Sequence, residues 1–273
     1  MPGRSQSIEI TKIRADSRKS ANDRVAIEEP LEIRLGFETD GKRRTTSVSI
    51  TMRTPGDDEE LALGFLFSEG ILHSFNDVAL VKPCQEENTL RVELEPGVAV
   101  DLERLQRHFY TTSSCGVCGK ASLEALSVQG RKPLPVQTGQ FDRNVVIKIP
   151  DRLRAAQETF EETGGLHAAA AFDTQGELLV VREDVGRHNA VDKVVGALLS
   201  NGRLPAADLG LIVSGRASFE LMQKTLAAGM PLLAAVSAPS SLAVELAREF
   251  NVTLIGFLRG DNFNISAGEE RIA

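Results

Sequence analysis

Leu209-Gly210-Leu211-Ile212-Val213-Ser214-Gly215-Arg216-Ala217-Ser218, then Leu232-Leu233-Ala234-Ala235-Val236-Ser237-Ala238-Pro239-Ser240, then Val252-Thr253-Leu254-Ile255-Gly256-Phe257 decide the fold. Each is a short apolar run that stops at small polar residues. Helix-length segments, 217–228 and 240–250, separate the runs. Strands that alternate with helices predict an α/β layer sandwich. Upstream the pattern continues. Strands are predicted at 167–172 and 178–182 around the turn Asp173-Thr174-Gln175-Gly176, with a helix at 187–200. Pro150-Asp151 opens a helix predicted to end at Gly164-Gly165.

The first half reads differently. Residues 30–52 alternate apolar and polar around Asp40-Gly41, the signature of a β-hairpin, so the sheets are predicted to be mixed. Asp57 with Glu60 three later resembles a capping box for a helix through Leu61–Phe67 ending near Gly70. Strands at 77–83 and 89–96 and a helix at 101–109 follow. Residues 129–143, with Gly130, Pro133, Pro135 and Gly139, suggest a boundary. The expected division is a polar, disordered or loosely attached tail over 1–25, a smaller α+β domain over 26–140, and a second domain over 141–273. No internal repeat stands out.

Composition narrows the function. Hydrophobic content is 42%, charged content 25% and net charge −7, normal for a globular protein and against general nucleic-acid binding, which needs a basic footprint. No apolar run reaches the roughly 20 residues of a membrane span. Met1-Pro2-Gly3-Arg4-Ser5 lacks the apolar core of a secretory signal. Three cysteines are an odd number, which argues against a disulfide scaffold and for a reducing cytoplasm.

Two of those cysteines lie in Thr112-Ser113-Ser114-Cys115-Gly116-Val117-Cys118-Gly119-Lys120. Gly116 and Gly119 free the backbone there, and Lys120 with a following helix start would favour thiolate. A reactive sulfur, half a zinc site and a redox pair all remain open. A structural zinc wants four ligands, and Cys84 and four scattered histidines are what is left to complete a set. His167, in Gly165-Leu166-His167-Ala168-Ala169, lacks the glutamate that a zinc deaminase places two residues on; it suits a pocket wall or a structural role equally. Arg182-Glu183-Asp184-Val185-Gly186-Arg187-His188-Asn189 passes from strand to helix, where α/β sheets bind ligands. There Asp184 could cap the turn, and Arg187 and His188 could meet an anion at the helix start. Ser214-Gly215-Arg216 offers backbone N–H groups, a glycine and a cation to a phosphate. Val236-Ser237-Ala238-Pro239-Ser240-Ser241 repeats that geometry, and Gly256-Phe257-Leu258-Arg259-Gly260-Asp261-Asn262-Phe263-Asn264 ends the last strand in a turn suited to a guanine-type base or phosphate. Each has an ordinary turn as its bland reading; three on one sheet edge are more persuasive together.

Taken in order, Thr54-Pro55-Gly56-Asp57, Glu60-Leu61-Ala62-Leu63-Gly64-Phe65, Ser114-Cys115-Gly116-Val117-Cys118-Gly119, Gly165-Leu166-His167-Ala168-Ala169, Arg182–Lys193, Ser214-Gly215-Arg216, Ser237-Ala238-Pro239-Ser240 and Leu254-Ile255-Gly256-Phe257 resemble the formate dehydrogenase accessory sulfurtransferase family, FdhD. The resemblance runs from about residue 30 to nearly the end. It implies a sulfur carrier that takes persulfide sulfur from a cysteine desulfurase and passes it to the molybdenum bis(molybdopterin guanine dinucleotide) cofactor for formate dehydrogenase. By the family motif Cys115 carries the persulfide and Cys118 is its companion. The cofactor-binding stretch falls on Phe257, Leu258, Arg259, Gly260, Asp261 and Asn262, with Arg187, His188, Ser214, Gly215 and Arg216 as further candidates. The resemblance also implies a cytidine-deaminase-like second domain, no resident metal and a homodimer. Readings of another class are a chaperone that binds cofactor and enzyme without moving sulfur, and a zinc nucleoside deaminase.

Overall fold

A computed structural model describes residues 3–100, 132–136 and 138–273. The helix expected at 101–109 and the segment with Cys115 and Cys118 lie outside the described residues.

The C-terminal half is a six-stranded mixed sheet in the order β12-β11-β10-β9-β7-β8. Its strands are β7 (His167–Phe172), β8 (Leu178–Asp184), β9 (Gly210–Val213), β10 (Leu232–Ala235), β11 (Thr253–Arg259) and β12 (Asn262–Ala267). β9, β10 and β11 run parallel, and β7 and β12 flank them antiparallel. β9 and β10 are buried throughout, which is why they read as unbroken apolar runs: parallel strands are covered on both faces. Ala169, Ala171, Leu211, Val213 and Leu233 belong to one core, with residues of α5 (Arg187–Ser200), α6 (Phe219–Ala227) and α7 (Ser241–Glu249). Ala168, Ala170, Ile212, Leu232 and Ile255 belong to another, under α2 (Arg143–Val146) and α3 (Ile149–Ala155).

The N-terminal half holds a four-stranded sheet in the order β4-β3-β6-β5, from β3 (Glu29–Thr39), β4 (Lys42–Arg53), β5 (Val78–Pro83) and β6 (Thr89–Leu94). Leu31, Ile33 and Leu35 alternate inward against α1 (Asp58–Ser68), and Glu32 and Arg34 point out into an ion pair. α1 crosses α5 at two glycines. A Cβ on Gly64 would collide with the Asp192 carbonyl oxygen, and one on Gly196 with the Glu60 carbonyl oxygen. The helices therefore touch backbone to backbone and dock one sheet on the other.

Four expectations change. Within the expected loose tail over 1–25, residues 5–25 are ordered: β1 (Ser5–Arg14) and β2 (Ser17–Ala26) pair in an unbroken antiparallel register. Their polar sequence hides them, because neither face of the ribbon is covered by a core. The capping box at Asp57 and Glu60 does not form. Asp57 sits at φ 56 with no side-chain cap; its carboxylate pairs with Arg4, and Glu60 binds Arg182. The helix from Pro150 to Gly164 breaks at the buried Gln157 into α3 and α4 (Glu158–Thr163). Finally, the stretch after Phe257 is a hairpin, with Arg259 opposite Asn262 across Gly260-Asp261, and β12 continues the sheet.

Candidate functional site at the sheet edge

The parallel strands end at one edge of the six-stranded sheet, and the antiparallel neighbours bring more residues there. His167, which starts β7, pairs with Asp184, which ends β8, and Ala169 pairs with Val213 of β9. The edge thus gathers His167, Asp184 to His188, Ser214 to Arg216, Ser237 and Phe257. The C-terminal edge of parallel strands is where α/β sheets accept ligands, because chain direction diverges there and leaves a crevice.

Much of the dense polar run at 182–193 works inward. Asp184 is fully buried and receives the Thr54 and Gly186 N–H groups, the Asn189 amide at 2.9 Å and Lys193 Nζ at 2.8 Å. It caps the turn as expected, and it also holds the two halves together, since Lys193 donates to the Thr54 carbonyl at 3.0 Å. Glu183 accepts the Thr159 and Phe160 N–H groups, capping the start of α4. Asp192 meets Lys224 at 2.7 Å, both buried.

The groups facing the edge behave otherwise. Arg187 Nε is a buried atom with no hydrogen-bond partner among the described residues, and His188 Nε2 and Ser218 Oγ, also buried, both face the Glu220 carboxylate. His188 Nε2 lies 3.8 Å from the Glu220 carboxylate, and this imidazole is the chief reason that the Glu220 carboxyl is held down to about 2. Buried polar atoms are nearly always satisfied, so the unpartnered Arg187 Nε at the start of α5 makes this edge a candidate ligand site. His167 titrates below the usual histidine range, first because it is buried and then because Arg187 and His188 repel a proton. Arg187 thus sets a cation beside His167 although the chain as a whole is acidic.

The turn after β9 is less open than its sequence suggests. The Ser214 N–H and Oγ both engage Ala168 at 2.9 Å. The Ala217 N–H reaches the Ala238 carbonyl, the Ser237 N–H the Gly215 carbonyl and the Phe257 N–H the Ser237 carbonyl. The small turns are laced into an extra rung of sheet, so those N–H groups are engaged before any phosphate arrives. Arg216 is exposed, and a Cβ on Gly215 would stand 3.4 Å from His167 Nδ1.

Beside this cluster a pocket of about 590 Å³ is lined by His167, Ser214, Val236, Gly165, Arg154 and Phe160, among others. The Arg154 guanidinium stacks 4.2 Å over the Phe160 ring. Sequence reasoning missed both: on a helix read as continuous they look like solvated surface, and the break at Gln157 turns them to the pocket.

The C-terminal stretch sits at the same edge but farther along. Phe257 takes φ 55 and is 40% exposed, with the Arg259 guanidinium 5.7 Å from its ring centroid. Gly260 is also left-handed, at φ 54. Leu258 is wholly buried in the core, so its side chain packs and does not face a ligand. Asp261 and Asn262 are exposed at the hairpin tip. Three strand intervals separate β11 from β7, about 14 Å. The structure therefore does not gather 257–262 around His167; it sets them at opposite ends of one edge. Cys84 is half-buried just past β5. Among the described residues no three histidine, cysteine or carboxylate side chains are gathered as a metal site, and no helix is long and apolar enough to cross a membrane.

The profile of the FdhD/NarQ family matches residues 26–273. The chain belongs to that family. Over 276 residues it is 50% identical to the sulfur carrier protein FdhD of Streptomyces avermitilis, covering 97% of this chain and 94% of that one. It is 47% identical to the protein of that name in Mycobacterium tuberculosis, at 96% of each, and 44% identical to that of Saccharolobus solfataricus, at 98% of each. A crystal structure of a protein described as a formate dehydrogenase accessory protein, from Desulfotalea psychrophila, superimposes with a TM-score of 0.77 at 23% identity, over 99% of this chain and all of that one. The mixed α/β fold is thus shared.

Proposed function

We propose that the protein is a sulfurtransferase of molybdenum-cofactor maturation. Cys115 receives sulfur as a persulfide from a cysteine desulfurase: its thiolate attacks the donor's terminal sulfur, the donor S–S bond breaks, and the donor cysteine leaves as thiolate. The terminal sulfur then goes to molybdenum bis(molybdopterin guanine dinucleotide), destined for formate dehydrogenase. Cys118 is the companion thiol. The work takes place in the cytoplasm, on a homodimer.

The observation that carries this reading is the pair Cys115 and Cys118 in a chain half identical to named sulfur carriers. The sheet edge supports the acceptor. A dinucleotide is long and polyanionic, and the edge offers the unpartnered Arg187 Nε at one end and Arg259 with the exposed Phe257 ring at the other. An unpartnered N–H group fits a phosphate oxygen, and an exposed ring beside an arginine fits a base.

The test is intact-mass measurement after incubation with an active cysteine desulfurase and L-cysteine. Wild type should gain sulfur that reductant removes, and Cys115→Ala should gain none. A wild type that gains no sulfur, beside a donor shown to be active, would move the function to binding without transfer. In parallel, Arg187→Ala should weaken guanine-nucleotide binding about 10-fold or more, the worth of a charge-assisted hydrogen bond.

A further inference from the structure

The β1–β2 ribbon has no covering layer. Its ten residue pairs run from Ser5 with Ala26 to Arg14 with Ser17, and every residue from Thr11 to Ser20 is exposed. Ile13 is 69% exposed. A lone two-stranded ribbon is at best marginally stable in water. Here the tip adds a penalty, because Lys12 stands directly opposite Lys19, and Ile13 faces Arg18. Like charges across a strand pair are unfavourable, so this tip is poorly built for standing alone.

The charge is also divided. Residues 1–26 hold six basic side chains (Arg4, Lys12, Arg14, Arg18, Lys19, Arg24) against Glu9, Asp16 and Asp23, a net of +3. The rest of the chain carries the remaining −10. We propose that the ribbon is an arm that lies on the acidic body of a second copy of this chain. The proposal rests on the two-copy reading above and names the contact that makes it. A polyanion such as RNA or an anionic membrane would meet a body of charge −10 behind the arm, and would be repelled by it. A second copy presents that acidic body to the arm. Arm-to-arm pairing is opposed by the tip cations, as lysines on exposed edges generally do.

The receiving surface is α4. Glu158, Glu161 and Glu162 border a groove of about 420 Å³. The same helix already binds the base of its own arm, through Arg24 to Glu162 at 3.0 Å and the Ser5 hydroxyl to Glu162 at 2.8 Å. Glu158 extends that acidic shelf; Glu161 lies on it but is paired at 3.1 Å with Arg154, which lines the same groove.

Sedimentation equilibrium tests the contact with two charge-reversed full-length proteins, K12E/R14E/R18E/K19E and E158K/E161K. Wild type should dimerise, more weakly at high salt. Each variant should raise the dimer dissociation constant about 100-fold, the summed effect of several exposed ion pairs reversed, with an unchanged melting temperature as the control for folding. Mixing the two variants should restore association, since each reversed arm then meets a reversed shelf. Variants that dimerise as wild type does, or a mixture that stays monomeric, would overturn the arm and leave the two-copy reading standing. A wild type that is monomeric throughout would overturn both, as would a wild type that binds anionic vesicles or RNA and not itself.

Discussion

Along α5, two sets of polar groups six residues apart meet opposite fates. Lys193 is buried against Asp184 and the Thr54 carbonyl, and Asp184 accepts from Asn189 and two backbone N–H groups as well. Less than two turns earlier, Arg187 Nε is buried with no partner among the described residues. In sequence the two sets form one charged run. The difference teaches that burial of charge has two meanings here. Where partners are complete, the charges dock the N-terminal sheet on the C-terminal one. Where they are incomplete, the charge stays available at the sheet edge.

The largest effect should come from breaking the complete set. Lys193→Met leaves Asp184 buried without its cation and should cost about 3–5 kcal/mol, as removing one partner of a buried pair does. Arg187→Ala should change stability by no more than about 0.5 kcal/mol, since it removes no internal partner. Urea unfolding of both variants checks the contrast. Equal losses would show that Arg187 is also structural glue.

Next is the glycine crossing that this glue secures. Gly64→Ala gains about 1 kcal/mol of helix propensity, but its Cβ meets the Asp192 carbonyl of α5. Backbone cannot step aside as a side chain can, and overpacking typically costs about 1–3 kcal/mol. The collision should win, giving a net loss of up to about 2 kcal/mol by the same unfolding measurement. A stabilised variant would mean that the helices part easily and that the ion pairs alone dock the halves.

How far the sequence could be read follows from the same physics. β9 to β11 and α5 were legible because burial on both faces leaves unbroken apolar runs between turn residues. The ribbon was not, because strands with no core carry no hydrophobic period. Arg187, His188 and Ser214 were legible as site candidates from their place at strand ends. Which of them is unpartnered was not, since Asp184 and Arg187 differ by three positions in sequence and only packing sends one inward. Arg154 and Phe160 left no signal, because the break at Gln157 rests on tertiary contacts. Leu258 shows the converse error: a motif read as a contiguous block includes a residue whose strand alternation turns it into the core.

The smallest effect probes the incomplete set directly. His167 has its proton affinity lowered by burial, then by Arg187 and His188, against the pull of Asp184. The unfolded chain, with an ordinary histidine near 6.5, therefore takes up the proton more readily than the folded one. The stability that this group contributes is complete above about pH 6.5 and is lost as pH falls through that value toward the lower folded value. Between pH 7.5 and 5.5 wild type should lose up to about 1 kcal/mol more than His167→Asn, which cannot titrate. A bound guanine nucleotide should reduce the shift, because phosphate beside Arg187 offsets the repulsion that adds to the effect of burial. NMR titration of the His167 ring with and without GDP reads both effects. A ring that titrates at or above 6.5 in the free protein would mean that neither burial nor Arg187 governs it. A lowered value that GDP leaves unmoved would place the phosphates elsewhere along the sheet, toward Arg259.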